Sequence, residues 1–261
     1  MKKNVVWITG ASSGIGEALV YEFTKADYKV IISSRKREAL ESVRLKTKNP
    51  EDVFVLPLDL EQSGSFDATV EKAISAFGQI DLLINNGGIS QRSLAADTSL
   101  DVDRKIMEIN YFGTIALSKA LLPHFISRKK GHFGVVSSLV GKFGSPYRSS
   151  YAGAKHALHG FFDSLRAENF KENIKVTMIC PGFIKTNVSI NALTGDGTPL
   201  NEMDDAQNKG MSTESCAKAI RNGIESNKEE ILIGGKETYA VYLKRFFPSL
   251  FSKLIRKAKV R

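Results

Sequence analysis

The chain reads as a single α/β domain: a doubly wound, mostly parallel sheet of about seven strands with helices on both faces. Three observations predict this. Short β-branched runs alternate with longer helical stretches along nearly the whole length. The runs are continuously apolar rather than alternating, as expected of strands covered on both faces. A glycine-rich turn joins the first run to the first helical stretch. A length of 261 residues suits one large domain with a filled core.

The strand candidates, in order, are Val5–Ile8, Val30–Ser33, Val53–Leu58, Leu82–Ile84, Gly134–Ser137, Lys175–Ile179 and Ile231–Ile233. Helical stretches fall near 15–26, 36–46, 65–77, 101–128, 150–170 and 213–226. Lys2-Lys3 before Val5-Val6-Trp7-Ile8 faintly imitates a secretion signal, but the apolar run is too short and meets Gly10 with no cleavage site. Only Cys180 and Cys216 are present, so neither a disulfide framework nor a cysteine-rich metal site is expected, and a reducing cytoplasm fits. No run of 18 or more apolar residues suggests a membrane span. His124, His132, His156 and His159 are scattered without completing a ligand set, so packing or surface roles are expected and no metal.

Two regions break the rhythm. Residues 187–211 are polar, weakly periodic and rich in turn formers, which predicts an irregular lid or binding loop. Residues 242–261 form a basic amphipathic tail after a main domain at 1–241. The tail holds Lys244, Arg245, Lys253, Arg256, Lys257, Lys259 and Arg261 with no acid. Without those seven the net charge of +9 falls to +2, so the basicity belongs to the tail and is no argument for nucleic-acid binding. Its Leu and Phe residues recur at helical spacing around Pro248. Three roles fit: docking over the pocket of its own subunit, a subunit contact, or peripheral contact with an anionic membrane.

The turn Thr9-Gly10-Ala11-Ser12-Ser13-Gly14-Ile15-Gly16 follows the first strand and opens the first helix. Glycines let backbone approach a pyrophosphate, and the helix N-terminus offers it free N–H groups and partial positive charge. The end of the second strand, Ser33-Ser34-Arg35-Lys36-Arg37, has no acid to hold an adenine ribose. An arginine there can pair with a 2′-phosphate, which favours NADP(H).

Tyr151 and Lys155 stand at i and i+4, one turn apart on a helix face. A tyrosine is a poor base at neutral pH, and a neighbouring ammonium lowers its pKa. Tyr151 can then exchange a proton with the oxygen of a carbonyl or alcohol. Ser138, at a strand end, can hydrogen-bond the same oxygen.

These motifs together resemble the short-chain dehydrogenase/reductase family over about residues 3–235. The matching pieces are Thr9–Gly16, Asp59-Leu60, Asn85-Asn86-Gly87-Gly88, Asn110, Ser138, Tyr151 with Lys155, and Pro181-Gly182-Phe183-Ile184-Lys185-Thr186. The stretch Asn86 to Leu94 resembles the branch of dehydrogenase/reductase member seven, related to hydroxysteroid dehydrogenases acting on steroids, retinoids and other carbonyls. The resemblance implies a Rossmann-like fold and a catalytic tetrad of Asn110, Ser138, Tyr151 and Lys155. Gly10, Ser12, Ser13, Gly14, Ile15 and Gly16 would hold the pyrophosphate and ribose. Arg35, with Ser34 beside it, would meet the 2′-phosphate. Asp59 and Leu60 would border adenine, and Asn86, Gly87 and Gly88 would line the cofactor. Tyr151 and Lys155 would reach the nicotinamide ribose. Pro181, Gly182, Ile184 and Thr186 would border the nicotinamide. Asn110 would place a water linking Lys155 to solvent.

The chain departs from the family pattern at Gly87, usually alanine, and at Gly153 and Ala154, usually alanine and serine. The expected reaction is hydride transfer between NADP(H) and a carbonyl or secondary alcohol of small, apolar character. The pocket is expected behind Ser138, Gly144–Tyr147 and the loop 187–211, in a homodimer or tetramer. The alternative is a non-catalytic NADP(H)-binding sensor or scaffold, which would have no need of Tyr151.

Overall fold

The computed structural model describes residues 3–258. In chain order it runs β1 (Val5–Thr9), α1 (Gly14–Lys25), β2 (Lys29–Ser33), α2 (Arg37–Leu45), β3 (Val53–Val55), α3 (Phe66–Phe77) and β4 (Leu82–Asn85). Then follow α4 (Leu100–Met107), α5 (Gly113–Arg128), β5 (Gly131–Val136), α6 (Ser149–Glu168) and β6 (Ile174–Pro181). The chain closes with α7 (Asp205–Asn208), α8 (Thr213–Glu225), β7 (Glu230–Ile233), α9 (Tyr239–Phe246) and α10 (Pro248–Ile255). The seven strands form one sheet in the order β3-β2-β1-β4-β5-β6-β7. Every pairing is parallel.

Strand periodicity explains the two layers. In β1, Val6 and Ile8 face one side, where they pack with Leu19 and Phe23 of α1 and Ile220 of α8. Val5 and Trp7 face the other, against Phe66 of α3, Leu121 and Phe125 of α5, and Phe162 of α6. Strand order reverses direction between β1 and β4, and the crevice beyond the carboxyl ends of the strands lies at that switch point. Thr9, Ser33, Asn85, Val136 and Pro181 end their strands there.

Several boundaries differ from the sequence reading. The third strand stops at Val55, although Leu56 and Leu58 continue to donate to Ile32 and Ser34. The fifth begins three residues early, because Gly131 and His132 pair with Ile174 and Lys175. The stretch read as one helix over 101–128 carries a π turn at Glu108–Phe112. The loop 187–211 is irregular as expected, apart from the single turn α7. The C-terminal helices start at Tyr239, ahead of the expected boundary at 242. As expected, Pro248 interrupts any single long helix there: α9 ends at Phe246, and Pro248 opens α10 at a position where its missing N–H has no partner to lose. Lys2, Lys259 and Arg261 lie outside the described residues.

Among the described residues no helix is long and apolar enough to cross a membrane. No group of three or more His, Cys, Asp or Glu among them could hold a metal ion.

Candidate active site

The glycine turn is built for close approach. Gly10 and Gly14 have φ of +63° and +59°, a region that side chains disfavour. A Cβ on Gly16 would lie 2.1 Å from the Gly10 carbonyl oxygen, so α1 can leave β1 this tightly only with glycine. Asn86 locks the turn to β4: its Nδ2 donates to the Thr9 and Gly10 carbonyls at 3.0 and 3.2 Å. The Thr9 hydroxyl in turn accepts from the N–H groups of Asn86 and Gly87, both at 3.0 Å. No side chain caps α1, so its first N–H groups remain available to an anion.

These residues border a cavity of about 890 Å³ at the switch point. The cavity gathers most of the residues that the sequence reading assigned to cofactor binding. Gly10, Ser12, Ser13, Gly14, Ile15, Ser34, Arg35, Asp59, Leu60, Asn86, Gly87, Gly88, Pro181, Gly182, Ile184 and Thr186 all line it. Gly16 sits beneath the turn rather than on the wall. Asp59 also accepts from the Glu61 N–H at 3.1 Å, closing a local turn. Beside Arg35, the Ser34 hydroxyl is buried without a hydrogen-bond partner, which suits a ligand that brings its own polar groups. An uncapped helix start, a glycine cradle and this orphaned hydroxyl together fit a dinucleotide.

The catalytic candidates converge from three elements. Ser138 follows β5; its Oγ donates to the Pro181 carbonyl at 3.3 Å and accepts from the Val140 N–H at 3.3 Å. Tyr151 and Lys155 project from α6 into the same cavity, which Ser138 also lines. Lys155 Nζ donates to the Val136 carbonyl at 2.8 Å and lies 5.7 Å from the Tyr151 ring centre. Asn110 sits in the π turn, a feature often found at functional sites. It is fully buried, and its amide grips both main-chain groups of Ile89: Oδ1 accepts from N–H and Nδ2 donates to the carbonyl, each at 2.8 Å. A Cβ on Gly88 would lie 2.8 Å from Asn110 Oδ1 and 3.7 Å from Lys155 Nζ. That spacing puts Asn110 and Lys155 side by side behind the cofactor loop.

Electrostatics differ from the simple lysine–tyrosine picture. Burial raises the Tyr151 pKa; Arg92, the Ser138 hydroxyl and Arg148 pull it down, but burial wins. Burial lowers Lys155 to about 8, so its ammonium gives up a proton near pH 8 rather than near 10.5. The nearby thiol of Cys180 is pushed up to about 12 by burial and is no nucleophile. His159 lies against Cys180 and Ser137, which gives it the packing role expected for it.

The sequence reading missed the cations flanking Tyr151. Arg92 and Arg148 both border the cavity and both bind Asp204, a buried residue of the 187–211 loop. Arg92 meets Asp204 Oδ2 at 2.8 Å through Nε and 2.7 Å through NH2; Arg148 meets it at 3.3 Å. Gln207 of α7 adds a second tie, donating to the Ile184 carbonyl and, at 3.2 Å, to the Thr186 hydroxyl. The loop is thus fastened over the site. Asn187, Val188, Asn191, Leu193 and Pro199 from this loop line the cavity, as do Leu139, Phe143 and Ser145 from the segment after β5. The tail supplies a further wall: Phe251 is buried against Phe143 at a ring separation of 5.1 Å, and Ala240, Ile255 and Ala258 border the cavity.

Comparison with known proteins agrees with this geometry. The family model described as short chain dehydrogenase matches residues 4–196. A dehydrogenase/reductase SDR family protein 7-like from Anopheles gambiae is 43% identical over 260 residues, covering 97% of this chain and 82% of that one. Dehydrogenase/reductase SDR family member 7B from Mus musculus is 40% identical, covering 98% and 81%. Among solved structures, a short-chain dehydrogenase from Streptomyces avermitilis superposes with a TM-score of 0.81 at 24% identity, covering 97% of this chain and 96% of that one. An alcohol dehydrogenase from Thermococcus sibiricus, complexed with 5-hydroxy-NADP, gives 0.76 at 24%, covering 90% and 97%. A short-chain dehydrogenase/reductase from Burkholderia phymatum in complex with NAD gives 0.83 at 18%, covering 95% of each chain.

Proposed function

The chain belongs to the short-chain dehydrogenase/reductase family of oxidoreductases, and from that premise we propose that it transfers hydride between NADP(H) and a carbonyl or secondary alcohol, with Tyr151 as general acid/base. The observation that carries this reading is the meeting of Ser138, Tyr151, Lys155 and Asn110 at the cavity that the glycine turn borders. An NADP(H)-binding sensor would gain nothing from a phenol and a serine hydroxyl sharing that wall.

The residues divide the work. A substrate oxygen seated between Tyr151 and Ser138 receives two hydroxyl donors. When bound, the nicotinamide supplies or accepts the hydride. Ser138 stabilises negative charge developing on the oxygen, and Tyr151 delivers the proton that turns it into an alcohol. The raised phenol pKa keeps Tyr151 protonated at neutral pH, the state an acid needs for reduction. Lys155, poised near pH 8, replaces that proton, and Asn110 holds the adjoining backbone through Ile89. Oxidation of an alcohol uses the same groups in reverse. Arg35 and the partnerless Ser34 hydroxyl support NADP(H) over NAD(H). Leu139, Phe143, Val188, Leu193 and Ile255 line the substrate side and support an apolar substrate.

The test is a panel of carbonyls and alcohols followed by NADPH absorbance, run beside NADH. The expected result is NADPH-dependent turnover that Tyr151→Phe abolishes while NADPH still binds. No turnover with any substrate, or a fully active Tyr151→Phe, rejects the reading.

Two associations belong to the same reading. A homo-oligomer through the outer faces of α5 and α6 is supported by Phe112, about half exposed, and by open space around Gly153 and Gly160. A cytoplasmic location is supported by the two free cysteines, and peripheral contact with an anionic membrane by the second, exposed apolar face of α9 and α10.

A further inference from the structure

Helix α6 carries Tyr151 and Lys155, yet nothing in its own sequence caps it: the residue at its N-cap, Arg148, makes no side-chain capping bond. The missing cap comes from elsewhere. Gln91 is fully buried, and its Oε1 accepts from the Ser150 N–H at 2.9 Å and the Tyr151 N–H at 3.4 Å. These are two of the four N–H groups that any helix start leaves without a partner. The other end of the same amide is fixed as well. Gln91 Nε2 donates to the hydroxyls of Thr98, Ser93 and Ser149 at 2.9, 3.2 and 3.2 Å. Neither end of the side chain can move without breaking buried bonds.

The backbone around Gln91 is held on both flanks. On one side Gln91 bridges Leu193 of the 187–211 loop, and Arg92 N–H donates to the Leu193 carbonyl at 2.8 Å. On the other, Ser93 bridges Arg148, and its N–H donates to the Tyr147 carbonyl at 3.2 Å. Arg92 then pins Asp204 from the same loop. Residues 90–93 therefore form a strap, anchored just after the cofactor loop, that touches the lid with one edge and the start of the catalytic helix with the other. Gln91 itself does not border the cavity, whereas Ser90 and Arg92 do.

We propose that Gln91 is a positioning residue for Tyr151, capping the catalytic helix from outside it and so fixing the phenol against Ser138. The proposal rests on the assignment of Tyr151 as general acid/base. A polar amide has no apolar packing advantage in a fully buried site, and five partners occupy both lone pairs and both N–H groups of this one, with one N–H shared between two hydroxyls. Releasing the cap frees the first turn of α6, where Tyr151 sits, while Lys155 one turn later stays held by Val136. Displacement of a reacting group by about 1 Å costs on the order of a hundredfold in rate.

The experiment compares Gln91→Met, Gln91→Asn and Gln91→Glu with the unmodified chain and with Tyr151→Phe, using para-nitrobenzaldehyde or the best carbonyl of the panel. NADPH affinity is read from quenching of Trp7 fluorescence and folding from the melting curve. Methionine removes the acceptor at nearly constant volume. Asparagine keeps an amide but falls one methylene short, and it serves where methionine does not fold. Glutamate keeps the acceptor, and the three hydroxyls can turn to donate to it. The expected result is a kcat lower by roughly tenfold to a hundredfold in Gln91→Met and Gln91→Asn. NADPH affinity should hold within about twofold, and Gln91→Glu should recover most of kcat. Full activity in Gln91→Met, parallel loss of kcat and NADPH affinity, or no recovery with glutamate overturns the positioning role. Tyr151→Phe separates the two claims: if it stays active, the acid/base assignment fails; if it is dead while Gln91→Met is fully active, only the positioning role falls.

Discussion

Arg35 stands exposed at the rim of the cavity, where β2 ends, with the Ser34 hydroxyl buried beside it. A guanidinium there gains little from the protein and much from a phosphate, since hydrogen bonds between charged partners are worth about 1.5–3 kcal/mol. Arg35→Ala is therefore expected to raise the KM for NADPH by roughly tenfold to a hundredfold and to leave that for NADH within about twofold. Initial rates with both cofactors measure this, and equal losses with both would remove Arg35 from cofactor selection. Residues such as Arg35, Tyr151 and Lys155 were legible in the sequence because their meaning lies in short spacing: a strand end, a helical turn. Arg92 and Asp204 were not, because their buried pair joins positions 112 residues apart. The direction of the Tyr151 shift was hidden for the same reason. Sequence reveals the lysine one turn away, whereas burial is a property of everything packed around it.

Helices α9 and α10 each present two apolar faces. The inner face, with Leu243, Phe251 and Ile255, packs on the body near Leu139 and Phe143. The outer face carries Tyr239, Tyr242 and Phe246 on α9, and Leu250 and Leu254 on α10 with Phe247 just before it, all exposed. Both sets follow the spacing i, i+3, i+7, so each makes one stripe. Lys244, Arg245, Lys253, Arg256 and Lys257 surround the stripes, with no acid among residues 242–258. Two copies meeting by this face would set like charges together, whereas an anionic lipid surface offers attraction of about 1 kcal/mol per basic residue. The chain should cosediment with vesicles containing phosphatidylglycerol and much less with phosphatidylcholine alone, the binding weakening with salt. Phe246→Ser with Phe247→Ser should release it without loss of turnover on soluble carbonyls. Absence of binding at low salt, or a change of oligomeric mass in the variant, would assign the face elsewhere. At this scale the strand–helix alternation was readable because each element repeats one period. The π turn at Asn110 was not: the apolar pattern runs through 101–128 unbroken, and the partner that Asn110 clamps from that turn, Ile89, lies outside the helix.

The sheet also determines how the whole molecule responds to acid. His132, in β5, is enclosed on both faces, and burial, aided by Lys175, lowers its pKa to about 4. His159, packed between α6 and the end of β6, is lowered to about 4 by burial and by Lys142. In the unfolded chain both return to about 6.5. Between pH 6.5 and 4 the unfolded state thus binds protons that the folded state refuses, and stability falls as pH falls through that window. For His132 the full loss is about 3 kcal/mol, a sizeable part of the roughly 5–15 kcal/mol that holds a domain together. The melting temperature should stay nearly level between pH 7 and 8 and drop steeply toward pH 4.5. His132→Val suits a buried strand and cannot take up a proton, and Thr177, the partner of His132, keeps its bond to the Lys228 carbonyl. This variant should flatten the slope while leaving hydride transfer intact, because His132 lies away from the cavity at the switch point. Parallel melting curves for the two proteins would show that protons enter elsewhere, and His159→Asn would then be the residue to compare.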